Sequence, residues 1–165
     1  MSCKNFRQES LNDTLELTVD IIGTNETCDE SENLIAQIIV KNNTHKPESF
    51  WILKCLWEKS FKSSNDSIKF RLRECNGNFP ISIKLNPNDS ICFYGILENR
   101  LSRVITMDPS FQFQIGLVKL SEEYLMMHEI PTDPEITKKR RTIWSNPIKL
   151  DHSNFGYKIN IKTNQ

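Results

Sequence analysis

The apolar residues of this chain fall in short runs, and most of the runs alternate. Leu15, Leu17, Val19 and Ile21 share one face of an extended segment, with Glu16, Thr18 and Asp20 on the other. Leu34, Ala36, Ile38 and Val40 repeat the pattern, as do Ile81, Ile83 and Leu85 against Ser82 and Lys84. Trp51, Leu53, Cys55 and Trp57 line up opposite Lys54, and Phe70 and Leu72 oppose Lys69, Arg71 and Arg73. Phe111, Phe113, Ile115 and Leu117 alternate with Gln112 and Gln114. Side chains of a strand point alternately to its two faces, so a period of two marks a strand with one dry face and one wet face. Eight runs are predicted as strands: 15–22, 34–40, 50–57, 68–75, 81–85, 91–97, 111–120 and 142–150. Half-wet strands belong to antiparallel sheets, whereas parallel strands read as continuous apolar runs.

The residues between the runs agree with this reading. Asn42-Asn43-Thr44 closes the second run, Asn76-Gly77-Asn78 follows the fourth, and Asn86-Pro87-Asn88-Asp89 separates the fifth from the sixth. Asn-Gly suits the positive φ of a tight turn, and Pro does no harm where no ladder N–H is needed. One segment departs from the pattern. Residues 121–141 hold Pro131 and Pro134 and form a long excursion between the last two strands. Within it, Ser121 followed by Glu122 and Glu123 can cap a short helical turn running toward Met127. The chain is predicted to be all-β: one antiparallel β-sandwich of seven to eight strands over residues 14–165, preceded by a polar tether, residues 1–13.

The order of features resembles an immunoglobulin-like or fibronectin-III-like sandwich: an early strand closed by Asn42-Asn43, an aromatic-rich strand with Trp51 and Trp57, a Pro-containing turn into Ile91-Cys92-Phe93-Tyr94, and a last strand around Ile143-Trp144. The resemblance is one of architecture. The disulfide pattern of antibody domains is missing, since Cys55 lies on the Trp-bearing strand. This architecture serves adhesion, recognition and scaffolding alike, so it implies no single function.

Charge and size narrow the field. The 165 residues carry 21 Lys+Arg and 21 Asp+Glu, enough chain for a real core and no net charge to draw it to nucleic acid or an anionic membrane. No apolar run reaches the length of about eighteen residues that a membrane span needs. Of the five cysteines, Cys55, Cys75 and Cys92 lie in or beside strands, where thiols behave as small buried apolar groups. Free, inert thiols are expected there. Cys55–Cys75 is the first alternative as a disulfide and Cys75–Cys92 the second. Ser2-Cys3 followed by a polar stretch resembles the junction at which bacterial lipoproteins are lipidated on cysteine, which makes Cys3 a candidate lipidation site and the cell envelope a candidate location. The apolar leader of such a signal does not precede it, and Met1 as the true start gives a cytoplasmic protein instead.

Chemistry is sparse. No nucleophile elbow, phosphate loop, dinucleotide fingerprint or metalloprotease helix is present. His45, His128 and His152 are far apart and no cysteine pair has zinc-knuckle spacing, so no metal or cofactor is expected. The acidic residues Asp29, Glu30 and Glu32 lack the spacing of a calcium loop and read as a solvated turn. Asn-x-Ser/Thr sequons at Asn12, Asn25, Asn42, Asn65 and Asn88 are what an Asn-rich chain yields by chance. A non-enzymatic binding module with a protein or glycan partner is the leading expectation. Its contact surface is expected on the excursion and beside it: Tyr124, Met126 and Met127 as an adaptable apolar contact, Lys138, Lys139, Arg140 and Arg141 as a basic rim, and Trp144. An immunity- or inhibitor-type protein that blocks one enzyme or toxin is the alternative. A hydrolase assembled from distant Asp, Glu and His residues ranks last.

Overall fold

Runs 15–22 and 34–40 become the two longest strands. The computed structural model describes residues 14–26, 32–99, 110–120 and 142–150. They form β1 (Leu15–Glu26), β2 (Glu32–Asn42), β3 (Glu48–Leu53), β4 (Phe61–Ser63), β5 (Ile68–Phe70), β6 (Pro80–Leu85), β7 (Ser90–Asn99), β8 (Gln112–Phe113), β9 (Ile115–Val118), β10 (Thr142–Trp144) and β11 (Ile148–Lys149). Among the described residues the helical structure is one 3-10 turn, Trp57–Ser60. One sheet has the order β1-β2-β7-β5 and a second the order β10-β9-β4, with β11-β8 and β3-β6 as two-stranded pairs. Every pairing is antiparallel. An isolated bridge, Trp51 to Leu120, joins β3 to the end of the β9 segment.

The dry faces meet in one core. Of the residues alternation assigns to the inside of β1 and β2, Leu15, Leu17, Val19, Leu34, Ala36, Ile38 and Val40 are buried and Ile21 is partly buried against them. They pack in one cluster with Phe113, Ile115, Leu117 and Ile143 from the other strands. Residues from separate sheets sharing one apolar cluster is an arrangement consistent with a β-sandwich.

Two runs break where polar side chains replace ladder partners. Run 111–120 splits at Gln114, whose N–H donates to Ser64 Oγ (2.8 Å). Run 142–150 splits at Ser145-Asn146-Pro147. Trp144 to Ile148 spans four steps where the opposed Gly116 to Phe113 spans three, so one residue is extra and the strand bulges. Pro147 sits where its missing N–H is tolerated. Asn146 uses the bulge to reach the edge of β1, accepting from the Val19 N–H (3.0 Å) and donating to the Val19 carbonyl (3.3 Å).

The third run is inverted relative to expectation. Phe50 and Ile52 enter the main core, while Trp51 and Leu53 face a smaller cluster with Leu56, Val118 and Leu120. Both faces of β3 are apolar, so alternation could not choose between them. Trp57 is buried as expected, but it reaches the core from the 3-10 turn and not from the strand face. The fourth run ends as a strand at Phe70, and Leu72 and Arg73 beyond it are exposed. The expectation of free thiols fails for one pair: Cys55 and Cys75 are joined, with Cα atoms 6.1 Å apart. Cys92 is free but exposed, not buried. Gly77 takes the positive φ expected of Asn76-Gly77, at 86°, and Asn88 takes 66° in the turn before β7.

The polar tether 1–13 and the excursion 121–141 with its helical turn lie outside the described residues. The strands that flank the excursion, β9 and β10, pair with each other.

Candidate functional site at the β4–β5 turn

Strands β4 and β5 are neighbours in sequence but join different sheets. β4 ends the β10-β9-β4 sheet and β5 ends the β1-β2-β7-β5 sheet, so the turn between them crosses from one layer to the other. Asn65 shapes that turn: its Oδ1 accepts from the Ser67 N–H (2.9 Å), and its carbonyl accepts from the Ile68 N–H (3.0 Å). A cavity of about 230 Å³ opens here. Phe61, Ile68 and Phe70 supply its apolar lining, Lys62 and Lys69 its cations, and Ser63, Asn65 and Asp66 its remaining polar groups.

Beneath the cavity lies an aromatic cluster. Phe61 and Phe70 are 6.0 Å apart between ring centroids, and both contact Trp57, at 5.6 and 6.1 Å. Phe93 completes the group, 5.0 Å from Trp57. Gly95 leaves room for it, because a Cβ there would stand 3.0 Å from both Phe70 Cε1 and Trp57 Cη2 and the rings would have to shift.

Next to the cavity, one row crosses three strands: Lys62 on β4 opposes Gly116 on β9, which opposes Trp144 on β10. The indole lies across Gly116; a Cβ at Gly116 would come within 2.8 Å of Trp144 Cε3. The Lys62 ammonium stands 5.1 Å from the Trp144 ring centroid. Burial lowers the pKa of Lys62 from its ordinary value, since a partly desolvated ammonium loses hydration that the ring only partly replaces. Trp144 remains 40% exposed.

A second polar group braces the same segment. Glu58 is 1% exposed and pairs through Oε1 with Arg73 Nε at 2.8 Å. Arg73 Nη2 donates to the Tyr94 carbonyl (3.0 Å), and its guanidinium lies 5.7 Å from the Trp57 ring. Glu58 Oε2 and Ser60 Oγ have no hydrogen-bond partner among the described residues. The Cys55–Cys75 disulfide encloses this whole segment, so cavity, turn and ion pair sit inside one closed loop.

Of the residues expected at a contact surface, Trp144 is placed, exposed and beside the cavity. Tyr124, Met126, Met127, Lys138, Lys139, Arg140, Arg141 and the candidate lipidation site Cys3 lie outside the described residues, as do Asp29, Glu30, His128 and His152. Among the described residues no three His, Cys, Asp or Glu side chains converge on a metal-sized site, and no helix is long and apolar enough to cross a membrane. Lys62, Lys69 and Asp66 carry no sequence motif. The one available signal is Trp57–Phe61, where charged residues sit between aromatics without alternation. Comparison of the chain with family models, curated proteins and solved structures finds no match.

Proposed function

We propose that the chain is a non-enzymatic, immunoglobulin-like recognition module whose partner, a protein or a glycan, docks on the β4-β9-β10 face beside the β4–β5 cavity. The observation that carries this reading is Trp144, a large aromatic packed against Gly116 of the neighbouring strand and left 40% exposed. Rigid aromatics exposed on a scaffold are the residues that most often dominate binding energy.

The topology supports the immunoglobulin-like part. Taken in chain order, β1, β2, β4, β5, β7, β9 and β10 fall into the layers β1-β2-β7-β5 and β4-β9-β10, the same distribution as strands A to G in an ABED/CFG sandwich. In that comparison β3 and β6 are an added pair. The Cys55–Cys75 disulfide supports an oxidising compartment, which favours envelope attachment through Cys3 over a cytosolic location.

Binding to arrayed glycans and peptides tests the module. Trp144→Ala is expected to weaken any genuine interaction by about tenfold or more, the loss of one aromatic hot spot. A ligand held equally well by the variant, turnover of a bound compound, or silence on both arrays would contradict the reading. The intact mass of the protein from its native cells tests the anchor: acyl groups on a chain beginning at Cys3 are expected, and an unmodified chain excludes them.

A further inference from the structure

We infer that the β4–β5 cavity takes one carboxylated sugar unit, a hexuronate residue of an acidic glycan. The inference rests on the recognition-module reading and adds the chemistry of the ligand. Each part of the lining fits a different part of such a ring.

Phe61 and Phe70 form an apolar floor, and a pyranose has one face made of C–H groups that packs against aromatic rings. A bare inorganic anion would leave that floor wet. Lys62 and Lys69 are the two cations of the lining; among the described residues neither forms an ion pair, although Glu98 stands opposite Lys69 in the β5–β7 register. Lys62 is the stronger argument. It keeps an ammonium in a partly desolvated place, with the Trp144 ring as its contact among the described residues, and an incoming carboxylate would repay that desolvation. A neutral sugar would not. Asp66 then needs explanation, because a carboxylate beside two lysines weakens a simple anion site. It is well suited to accept from sugar hydroxyls, and the Asn65 side-chain amide and Ser63 hydroxyl lie in the same lining. The volume, about 230 Å³, is below that of pockets for drug-sized ligands and suits a single ring. The Trp144 indole, next to Lys62, is placed for the adjoining sugar of the chain.

Calorimetric titration of the full chain with oligogalacturonate and oligoglucuronate tests this, with the methyl-esterified oligomers as neutral counterparts of the same shape and an oligoglutamate peptide as the protein-like acid. The acid oligomers are expected to bind, and esterification to weaken binding by about tenfold or more, as loss of one partner of a charge pair does. Lys62→Met and Lys69→Met are each expected to weaken binding several-fold without loss of thermal stability, while Lys62→Arg retains most of the binding. Equal binding of acid and ester, unaffected by the lysine variants, would overturn the carboxylate and leave the module standing. Binding of oligoglutamate in preference to the sugars would overturn the sugar and point to a protein partner. No binding by any of these would overturn the inference, and the Trp144→Ala array experiment would still decide the module by itself.

Discussion

Asn42 is fully buried and all of its side-chain polar atoms are used. Its amide donates to the Lys46, Leu85 and Asn86 carbonyls, at 2.7, 3.1 and 3.2 Å, and its Oδ1 accepts from Thr44 N and Oγ1. One side chain thus ties the end of β2 to the turn that leads into β7. Asn146 does similar service at the edge of β1. Replacing either by Ala leaves buried or half-buried backbone groups without partners, which costs about 1–3 kcal/mol per group stranded. Asn42→Ala should therefore lower stability by more than Asn146→Ala in denaturant unfolding. Equal, near-zero effects would contradict the roles given to them. Lys62 provides a different kind of residue-scale prediction. Its folded pKa is lowered by burial, so its charged form is disfavoured in the folded state. The penalty is present in full below that folded value and fades as pH rises from it toward the ordinary value, 10.5. The stability of the native chain relative to Lys62→Met should rise across that window. A pH-independent difference between the two would show that the ammonium is as well hydrated folded as unfolded.

The segment from the 3-10 turn to β5 is closed three times at nearly the same place, by the Cys55–Cys75 disulfide, the Glu58–Arg73 ion pair and the Arg73–Trp57 stacking. Loop-closure entropy assigns a disulfide across a loop of this length about 3 kcal/mol. Cys55→Ser with Cys75→Ser should lose about that much in denaturant unfolding while keeping the strand signal in circular dichroism, because most of the main core comes from strands outside the loop, which itself supplies Trp57, Phe61 and Ile68. Loss of the whole fold would contradict this separation. The same segment is where sequence reading was weakest. β1 and β2 were legible because they are long and have one wet face. β4 is three residues long and follows a turn of charged and aromatic residues with no period. The cavity depends on β4 and β5 joining different sheets, which is a matter of long-range pairing that no local pattern encodes. Cys55–Cys75 was a nameable pair, but only the fold brings the two Cα atoms to 6.1 Å. Trp144 was legible as an aromatic outside the clear core pattern, and its contact with Gly116 was not, because the opposing glycine is 28 residues away in sequence.

At the scale of the molecule, the two sheets meet their edges differently. The β1 edge is engaged by Asn146 from the β10–β11 bulge, so that edge of the four-stranded sheet is tied to the segment that continues the three-stranded one. The other side ends in the short strands β4 and β5, which limits the length of edge available for pairing with another chain and leaves the cavity between the layers. Binding on such a scaffold should need little rearrangement, since the floor is core aromatics and the platform is a strand residue. The most direct check is a backbone-amide NMR titration of the full chain with oligogalacturonate. The account predicts shifts centred on Lys62, Asn65, Lys69, Gly116 and Trp144, together with the Trp144 indole N–H. Shifts centred on the outer face of β1-β2-β7, around Gln37 and Tyr94, would place the ligand on the opposite layer and contradict the site assigned here.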